Sequence, residues 1–442
     1  MSTVADPREL LDNSAMNSFQ IMAVVICILL NALDGFDVLA ISFASPGIAD
    51  EWAINRAGLG IVLAMELVGM AIGSIALGGI ADRIGRRPTI LCCLVIMAVG
   101  MYLAALSQSV TQLLVVRFVT GLGIGGMLAS INAMVAEYSN AKHRNLAVIL
   151  MATGYPLGAT VGGSVASLLL EHADWRAVFE FGAICTAAFI VIVWFWLPES
   201  IQYLCTQRGP DSLERINNTL SRMGHEEIQE LPPLPAAEEK LNYSALFSDR
   251  FRALTVLLCI GYSFHIMTFY YILKWIPKIV VDMGYEPSTA GSVLVWANLG
   301  GACGALFLGL ASSRFGLRRL LMVLLVLGFV MVSCFALGQS SIKSLSVISA
   351  VIGFFTNAGV VGFYALIAST FPADVRAGGT GFVIGIGRGG AVLGPVLAGF
   401  LFASGAGLLA TSVVMGLGAL LAAVAVFFLR RVLESHRIAA KI

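Results

Sequence analysis

Long apolar stretches recur from one end of the chain to the other, and they constrain its fold more than any other feature. A stretch of about 20 apolar residues can cross a membrane as a helix. The bilayer interior offers no water to the backbone, so such a segment must be helical. Twelve stretches recur, at 19–46, 57–81, 89–107, 111–138, 146–170, 176–197, 252–280, 288–312, 320–338, 345–371, 378–403 and 408–429. The sequence therefore predicts an all-α membrane protein with twelve transmembrane helices.

Composition and the cysteines agree with this prediction. Only 12% of residues are charged, against about 25% in soluble domains. The first 18 residues are acidic and lack the pattern of a secretory signal, so we expect the first helix to be retained. The eight cysteines have neither metal-ligand spacing nor positions in outer loops. We expect them to be small buried residues, without disulfides or a metal site.

Lys and Arg are distributed unevenly over the loops. When the loops are assigned alternately to two sides of the membrane, four of the 27 Lys and Arg residues fall on one side and three lie inside apolar stretches. All the others fall on the opposite side. The four are Arg56, Arg176, Lys278 and Lys343, and the three are Arg117, Lys274 and Arg388. By the positive-inside rule, we expect both termini and the long central loop in the cytoplasm.

The chain reads as two similar halves. A polar segment at 198–251 separates six apolar stretches from the next six, and GGIADRIGRR at 78–87 is echoed by GLASSRFGLR at 309–318. Tandem halves are typical of transporters, because a site between them can be exposed to either side in turn. The expected divisions are an N-terminal half at 1–197, a central loop at 198–251, a C-terminal half at 252–429 and a tail at 430–442.

The repeated decapeptide predicts a charged turn at the cytoplasmic face. Glycine permits a tight reversal, and Asp82 can accept hydrogen bonds from arginines or from a helix N-terminus. Positive-inside anchoring alone would explain the arginines but not the Gly and Asp spacing or the second copy. We interpret the loop as a structural gate latch formed by Gly78, Asp82, Arg83, Gly85, Arg86, Arg87, Arg314, Gly316 and Arg318.

Two aspartates interrupt the first apolar stretch, within NALDGFDV at 31–38. Helical spacing puts Asn31, Asp34 and Asp37 on one face, and Gly35 leaves room for a close helix contact. A charge near the bilayer centre costs about 2.5–3.5 kcal/mol, so these side chains should face other charges or water.

Counting along the helices brings Arg117 and Glu66 to a similar depth. One interpretation is a set of structural ion pairs that fixes helix packing. The other is a protonation switch, because burial favours a neutral carboxyl group and a nearby arginine favours a charged one. We predict proton coupling by Asp34, Asp37 and Glu66, with a structural role equally open for Glu66.

Arg388 lies roughly 15 Å from the cytoplasmic end of its stretch, near the depth at which two-repeat transporters bind their cargo. Its planar guanidinium suits a carboxylate, although backbone carbonyls or another acid could also satisfy it. Tyr270 could line a pocket for a flat ring or simply pack. Lys274 either snorkels to the interface or contacts the ligand, and His265 either packs or carries a proton. The substrate-binding candidates are Arg117, Arg388, Tyr270, Asn298, Asn357 and His265.

Several motifs resemble those of the aromatic acid/proton symporters of the major facilitator superfamily. They are DGFD in the first stretch, GGIADRIGRRP, RFVTGLGIGG, DWR at 174–176, LPES at 197–200 and GRGGAVLGP. The resemblance implies the major facilitator fold, proton coupling by Asp34 and Asp37, essential roles for Arg117 and Arg388, and a carboxylated aromatic ring as cargo. Departures from the family pattern leave the particular acid open: PESIQ after the sixth stretch, Lys274 before Trp275, and Val360 with Tyr364 in the tenth stretch.

The expected function is import of a small organic acid of the benzoate type through the inner membrane of a bacterium. The expected partners are the organic anion, protons and lipid, without nucleic acid, and the protein is expected to be monomeric. The proton gradient replaces a cofactor.

Three other functions are compatible with parts of the sequence. A proton/drug antiporter is disfavoured by GATVGG at 158–163, where such exporters have proline second. An importer of sugars or aliphatic carboxylates is another, although sugars do not require arginines inside the membrane. A non-transporting receptor lacks support from any large soluble appendage, and no set of residues suggests an enzyme.

Overall fold

The computed structural model describes residues 6–232, 246–248, 251–371 and 373–439. Within these residues, twelve helices are long and apolar enough to cross a membrane, which confirms the predicted fold class. The helices are α1 (Pro7–Asn13), α2 (Ser18–Glu51), α3 (Arg56–Ile84), α4 (Arg86–Ala105), α5 (Val110–Tyr138), α6 (Arg144–His172), α7 (Arg176–Trp196), α8 (Ile201–Gln207), α9 (Ser212–Arg222), α10 (Arg252–Asp282), α11 (Pro287–Phe315), α12 (Leu317–Ser333), α13 (Ile342–Thr370), α14 (Ala373–Ala403) and α15 (Leu408–Ala439).

The central loop contains helices that its polar composition did not reveal. The short helices α8 and α9 follow α7 directly, and α9 buries Ile216 and Leu220 on one face. Residues 233–245 and 249–250 of the predicted loop, which include most of PPLP at 232–235, lie outside the described residues, as do the last residues of the tail.

The turns between spanning helices follow local rules. The side-chain oxygen of Ser109 accepts a hydrogen bond from the main chain of Gln112 and so caps α5. Gly85 and Gly316 join α3 to α4 and α11 to α12 with φ values of +109° and +79°. Only glycine adopts such values at little cost, so the turn role predicted for both copies of the decapeptide has a direct conformational basis.

Two compact units can be distinguished from the contacts along the chain. The first comprises Met1–Val38, Gly69–Gly158 and Phe179–Glu238, and the second comprises Leu39–Val68, Ala159–Val178 and Glu239–Ile442. The second unit thus includes one end of each of the helices α2, α3 and α6, together with the helices that follow the central loop.

Glycines allow close helix packing inside the first unit. A Cβ atom at Gly69 or Gly73 of α3 would collide with the main chain of α5, at Phe118 and Leu122. Gly125 of α5 makes the reciprocal contact with Met70. The small-residue spacing read from the sequence therefore corresponds to a close α3–α5 contact.

Candidate functional site

The DGFD element lies where α2 crosses α6. Asp34 is 1% exposed and Asn31 is 3% exposed, and Nδ2 of Asn31 donates to Met151 O at 2.5 Å. A Cβ at Gly35 would collide with the main chain of Tyr155, and one at Gly158 would collide with Ala32. The predicted role of Gly35 in close helix approach is confirmed, and the aspartate segment lies in the close contact between the two helices.

Asp37 and Arg117 meet inside the first unit, and both are fully buried. Nη2 of Arg117 donates to the main-chain carbonyl of Asp37 at 3.0 Å, and its guanidinium lies 5.4 Å from the centre of the Phe179 ring. The hydroxyl of Thr186 on α7 donates to Asp37 Oδ2 at 3.3 Å. Sequence reasoning missed Thr186, because one threonine in an apolar helix carries no distinctive signal.

Glu66 belongs to the second unit, where its Oε2 lies 3.5 Å from Nζ of Lys274. Both side chains are 0% exposed. The suggestion that Lys274 snorkels to the interface is therefore wrong, because the ammonium group is enclosed by protein beside a carboxylate. Depth alone had associated Glu66 with the aspartates of α2 and could not identify a partner two hundred residues away.

Arg388 is half-buried on α14, between glycines that pack this helix onto α10. A Cβ at Gly387 would collide with the Tyr262 ring, and one at Gly390 would collide with the carbonyl of Ser263. The Tyr262 hydroxyl donates to that of Tyr364 at 3.3 Å. The GRGG motif thus fixes the helix segment that carries Arg388 against an aromatic pair.

His265 has the geometry of a packing residue. It is 1% exposed, its Nε2 lies 2.8 Å from Thr356 O, and its ring stacks on Phe363. A Cβ at Gly359 would collide with the imidazole. This arrangement favours the packing interpretation of His265 over the substrate-binding one.

The two asparagines use their amides for helix contacts. Nδ2 of Asn298 donates to Leu294 O at 2.9 Å in its own helix, whereas Nδ2 of Asn357 donates to Gly301 O at 2.8 Å and joins α13 to α11. Tyr270 is half-buried and meets Phe269 edge to face, with ring centres 5.3 Å apart. Phe264 of the same helix is 36% exposed.

The first decapeptide is bound by a carboxylate that sequence reasoning did not select. Oε1 of Glu199 accepts from the main-chain N–H groups of Arg86 and Arg87, at 2.9 and 3.2 Å, and of Ser200, at 2.8 Å. A carboxylate at the N-terminus of α4 is favoured by both hydrogen bonding and the helix dipole. LPES at 197–200 was noted only as part of the family resemblance.

A second set of contacts surrounds the same turn. Arg86 pairs with Asp82 at 2.5 Å and with Glu137 at 3.7 Å. Ser200 donates to Glu137, and Tyr138 donates to Glu199 O at 2.5 Å. The turn is therefore tied to the ends of α5 and α7 within the first unit, as a structural latch requires.

The second decapeptide has a different environment. Ser313, which replaces the aspartate, donates to Leu310 O in its own helix at 3.1 Å. A Cβ at Gly316 would meet nothing within 4 Å, whereas one at Gly85 would collide with Glu199. The two copies share the backbone turn but not the carboxylate that holds it.

DWR at 174–176 forms a clamp in the second unit. Arg176 binds both carboxylate oxygens of Glu51 at 2.7 Å, and Nε1 of Trp175 donates to the same carboxylate at 2.7 Å. The clamp joins the end of α2 to the start of α7.

Twelve helices of crossing length among the described residues, an internal sequence repeat and buried charged groups are together typical of a multi-pass membrane transporter. The sequence profile of the Major Facilitator Superfamily matches residues 27–286 and again 258–441. The chain belongs to this superfamily.

Curated relatives of similar length support the same class. The gallate transporter of Pseudomonas putida is 29% identical, over 95% of this chain and 94% of its own. The 4-hydroxybenzoate transporter PcaK of the same organism is 28% identical, over 88% of each chain. The 3-(3-hydroxy-phenyl)propionate transporter of Escherichia coli is 28% identical, over 94% of this chain and 95% of its own. Their names all describe transporters of acids that carry an aromatic ring.

Among solved structures, a bacterial homologue of the human lysosomal transporter Spinster, inward-facing and unoccupied, has a TM-score of 0.74. The match covers 95% of this chain and 98% of that one, at 16% identity. At this identity the likeness shows the fold.

Proposed function

We propose that this protein imports an aromatic carboxylate of the hydroxybenzoate type together with protons, by alternating access in a bacterial inner membrane. The observation that carries the proposal is the buried pair of aspartates on α2, 1% and 0% exposed, with Arg117 bound to the backbone of one of them. The names of the relatives support the cargo class.

The chemistry of proton coupling follows from burial. A carboxylate at this depth is costly, and taking up a proton removes that cost. The Thr186 hydroxyl lies 3.3 Å from Asp37 Oδ2, and the Arg117 guanidinium donates to the Asp37 main-chain carbonyl. When α2 moves relative to these groups, the balance between the charged and neutral forms changes. A carrier that gains and loses a proton in this way couples its conformational change to the proton gradient.

Arg388 is the proposed partner of the substrate carboxylate. A guanidinium binds a carboxylate through two parallel hydrogen bonds, and the glycine contacts with Tyr262 and Ser263 fix its helix segment. The neighbouring Tyr262 and Tyr364 rings, with centres 5.8 Å apart, offer the kind of surface on which a benzene ring packs. One proton carried with one monoanion makes transport electroneutral. Each further proton adds about 2.3 kcal/mol per 100 mV of membrane potential.

The test is uptake by purified protein in liposomes. Labelled 4-hydroxybenzoate and gallate are offered under an inward proton gradient, and Asp34→Asn and Asp37→Asn are compared with the parent chain. Asp50→Asn is the matched control, because Asp50 is an exposed acid on the same helix. We expect gradient-driven uptake by the parent and the control, and none by the two buried variants when they elute as folded monomers.

Other results decide against the proposal. Uptake that survives in both buried variants refutes proton coupling by these aspartates and leaves them a packing role. Absence of uptake for every aromatic acid by folded protein refutes the cargo. Aliphatic carboxylates, sugars and gradient-driven drug export are then the activities to assay.

A further inference from the structure

Two ion pairs join α3 to α10 inside the second unit. Nη2 of Arg56 lies 3.1 Å from Asp282 Oδ2, and Glu66 Oε2 lies 3.5 Å from Nζ of Lys274. At about 1.5 Å per residue, the pairs are roughly 15 Å apart along α3 and roughly 12 Å apart along α10. The two helices therefore present opposite charges in matching order.

The two pairs differ sharply in exposure. The side chains of Arg56 and Asp282 are 47% and 28% exposed, whereas those of Glu66 and Lys274 are both 0% exposed. An exposed pair adds little to a contact because water screens it. When a buried pair loses one member, by contrast, it leaves an uncompensated charge in protein, which strongly destabilises that arrangement. Loss of either member of the deep pair therefore weakens the contact between α3 and α10 more than loss of a member of the exposed pair.

The same end of α3 also packs on α14. A Cβ at Gly60 would lie 2.6 Å from Pro395 O, and one at Gly399 would lie 2.6 Å from Arg56 O. Nε1 of Trp275, the residue after Lys274, donates to that Pro395 carbonyl at 3.0 Å. The ion pairs thus belong to a close three-helix contact.

We propose that Glu66 and Lys274 form the deep part of an outer gate, and that Lys274 lines the opened gate as the cation that attracts anionic cargo. The proposal rests on the proposed alternating-access function. α3 precedes the central loop and α10 follows it, and the positive-inside rule puts Arg56 and Lys278 on the outer side. Substrate can enter from outside only if these helix ends separate, so the pair must break once in each cycle.

Among the groups of these ion pairs, cations outnumber anions by one. Lys278 also pairs with Asp282, so the two ion pairs and Lys278 contribute three cations and two anions. A cleft lined by excess positive charge concentrates anions. Once Glu66 moves away, Lys274 adds an ammonium group to the wall that an arriving carboxylate passes.

The experiment measures access to a cysteine placed at Leu63, which is 0% exposed and one helical turn from Glu66 towards the outer end. Membrane-impermeant thiosulfonates, one anionic and one cationic, are applied from outside at mildly alkaline pH, where carboxyl groups are charged. The chain without the added cysteine gives the background from its eight native cysteines. Glu66→Gln, Lys274→Met, the two combined, and the reversed pair Glu66→Lys/Lys274→Glu are compared. Lys343→Met, an exposed outer lysine, is the matched control.

Each single variant should react about tenfold faster or more than the parent, because a buried charge has lost its partner. The combined and reversed pairs should return to within about threefold of the parent, as coupled residues require. The ratio of anionic to cationic reagent rates should be about tenfold higher in Glu66→Gln than in Lys274→Met.

Single variants that react at the parent rate would overturn the gate, and so would a combined variant as reactive as the singles. Equal reagent ratios in the two singles would overturn the role of Lys274 in attracting anions. Since no cargo is used, these results decide the proposal even if no aromatic acid is transported. If a single variant fails to fold, the reaction rate of the reversed pair still tests whether the two residues act as a pair.

Discussion

The carboxylate of Glu199 accepts a hydrogen bond from the main-chain N–H of Arg86 at 2.9 Å. The two residues are distant in sequence, and one interaction fixes the start of α4 against the segment that follows α7. The same oxygen also accepts hydrogen bonds from the main-chain N–H groups of Arg87 and Ser200. The turn formed by the first decapeptide is therefore held by a residue outside the motif.

Removing this carboxylate should loosen the turn. Glu199→Ala leaves three main-chain donors without their acceptor, and we expect a loss of about 1–3 kcal/mol in stability. Glu199→Gln keeps one acceptor oxygen but not the charge, so its loss should be smaller. Thermal unfolding in detergent measures both. Equal melting temperatures for Glu199→Ala and the parent chain would show that the contact is not stabilising.

Alanine at Gly35 should disrupt the crossing of α2 and α6. The added Cβ collides with the main chain of Tyr155, and overpacking of this kind costs about 1–3 kcal/mol. Gly158→Ala should act similarly through Ala32. Gly389→Ala is the matched control, because a Cβ there meets nothing within 4 Å and alanine favours a helix by about 0.5–1 kcal/mol. Folded yield and melting temperature should fall only for the first two variants.

Thr186→Val should shift the dependence of uptake on external pH. The Thr186 hydroxyl lies 3.3 Å from Asp37 Oδ2 and also donates to Gly182 O of its own helix at 2.8 Å. Valine keeps the shape of the side chain but removes this polar neighbour of Asp37, so the external pH of half-maximal uptake should differ from that of the parent chain. Thr153→Val removes a hydroxyl that binds only its own helix, at Ile149 O, and should leave the profile unchanged. A profile shifted equally by both substitutions would contradict a specific effect on Asp37.

Much of the fold could be predicted because its determinants are local in sequence. Apolar length indicates a spanning helix, and a glycine in a short charged loop indicates a turn, as Gly85 and Gly316 both show. The close approach allowed by Gly35 was predictable for the same reason, because a glycine inside a spanning helix leaves room for the main chain of a neighbouring helix.

Partners on distant helices could not be predicted in the same way. For Lys274, the sequence left both snorkelling and ligand contact open, because a position along α10 indicates depth but not where the side chain points. Glu51 accepts hydrogen bonds from Arg176, and Glu199 accepts one from the main chain of Arg86. The sequence alone does not show that these residues are close. Depth and residue type identify which charges need partners, and only the packing of helices identifies the partners.

Replacing Arg388 by lysine tests its proposed contact with the substrate carboxylate. Lysine keeps the charge but not the planar fork that binds two oxygens at once. A charged hydrogen bond contributes about 1.5–3 kcal/mol, so KM for 4-hydroxybenzoate should rise by roughly tenfold or more, and Arg388→Gln should abolish uptake. Arg319→Lys, the same substitution at an exposed position, should leave KM unchanged. An Arg388→Lys variant with unchanged KM but a lower melting temperature would instead identify Arg388 as a packing residue of the α14–α10 contact.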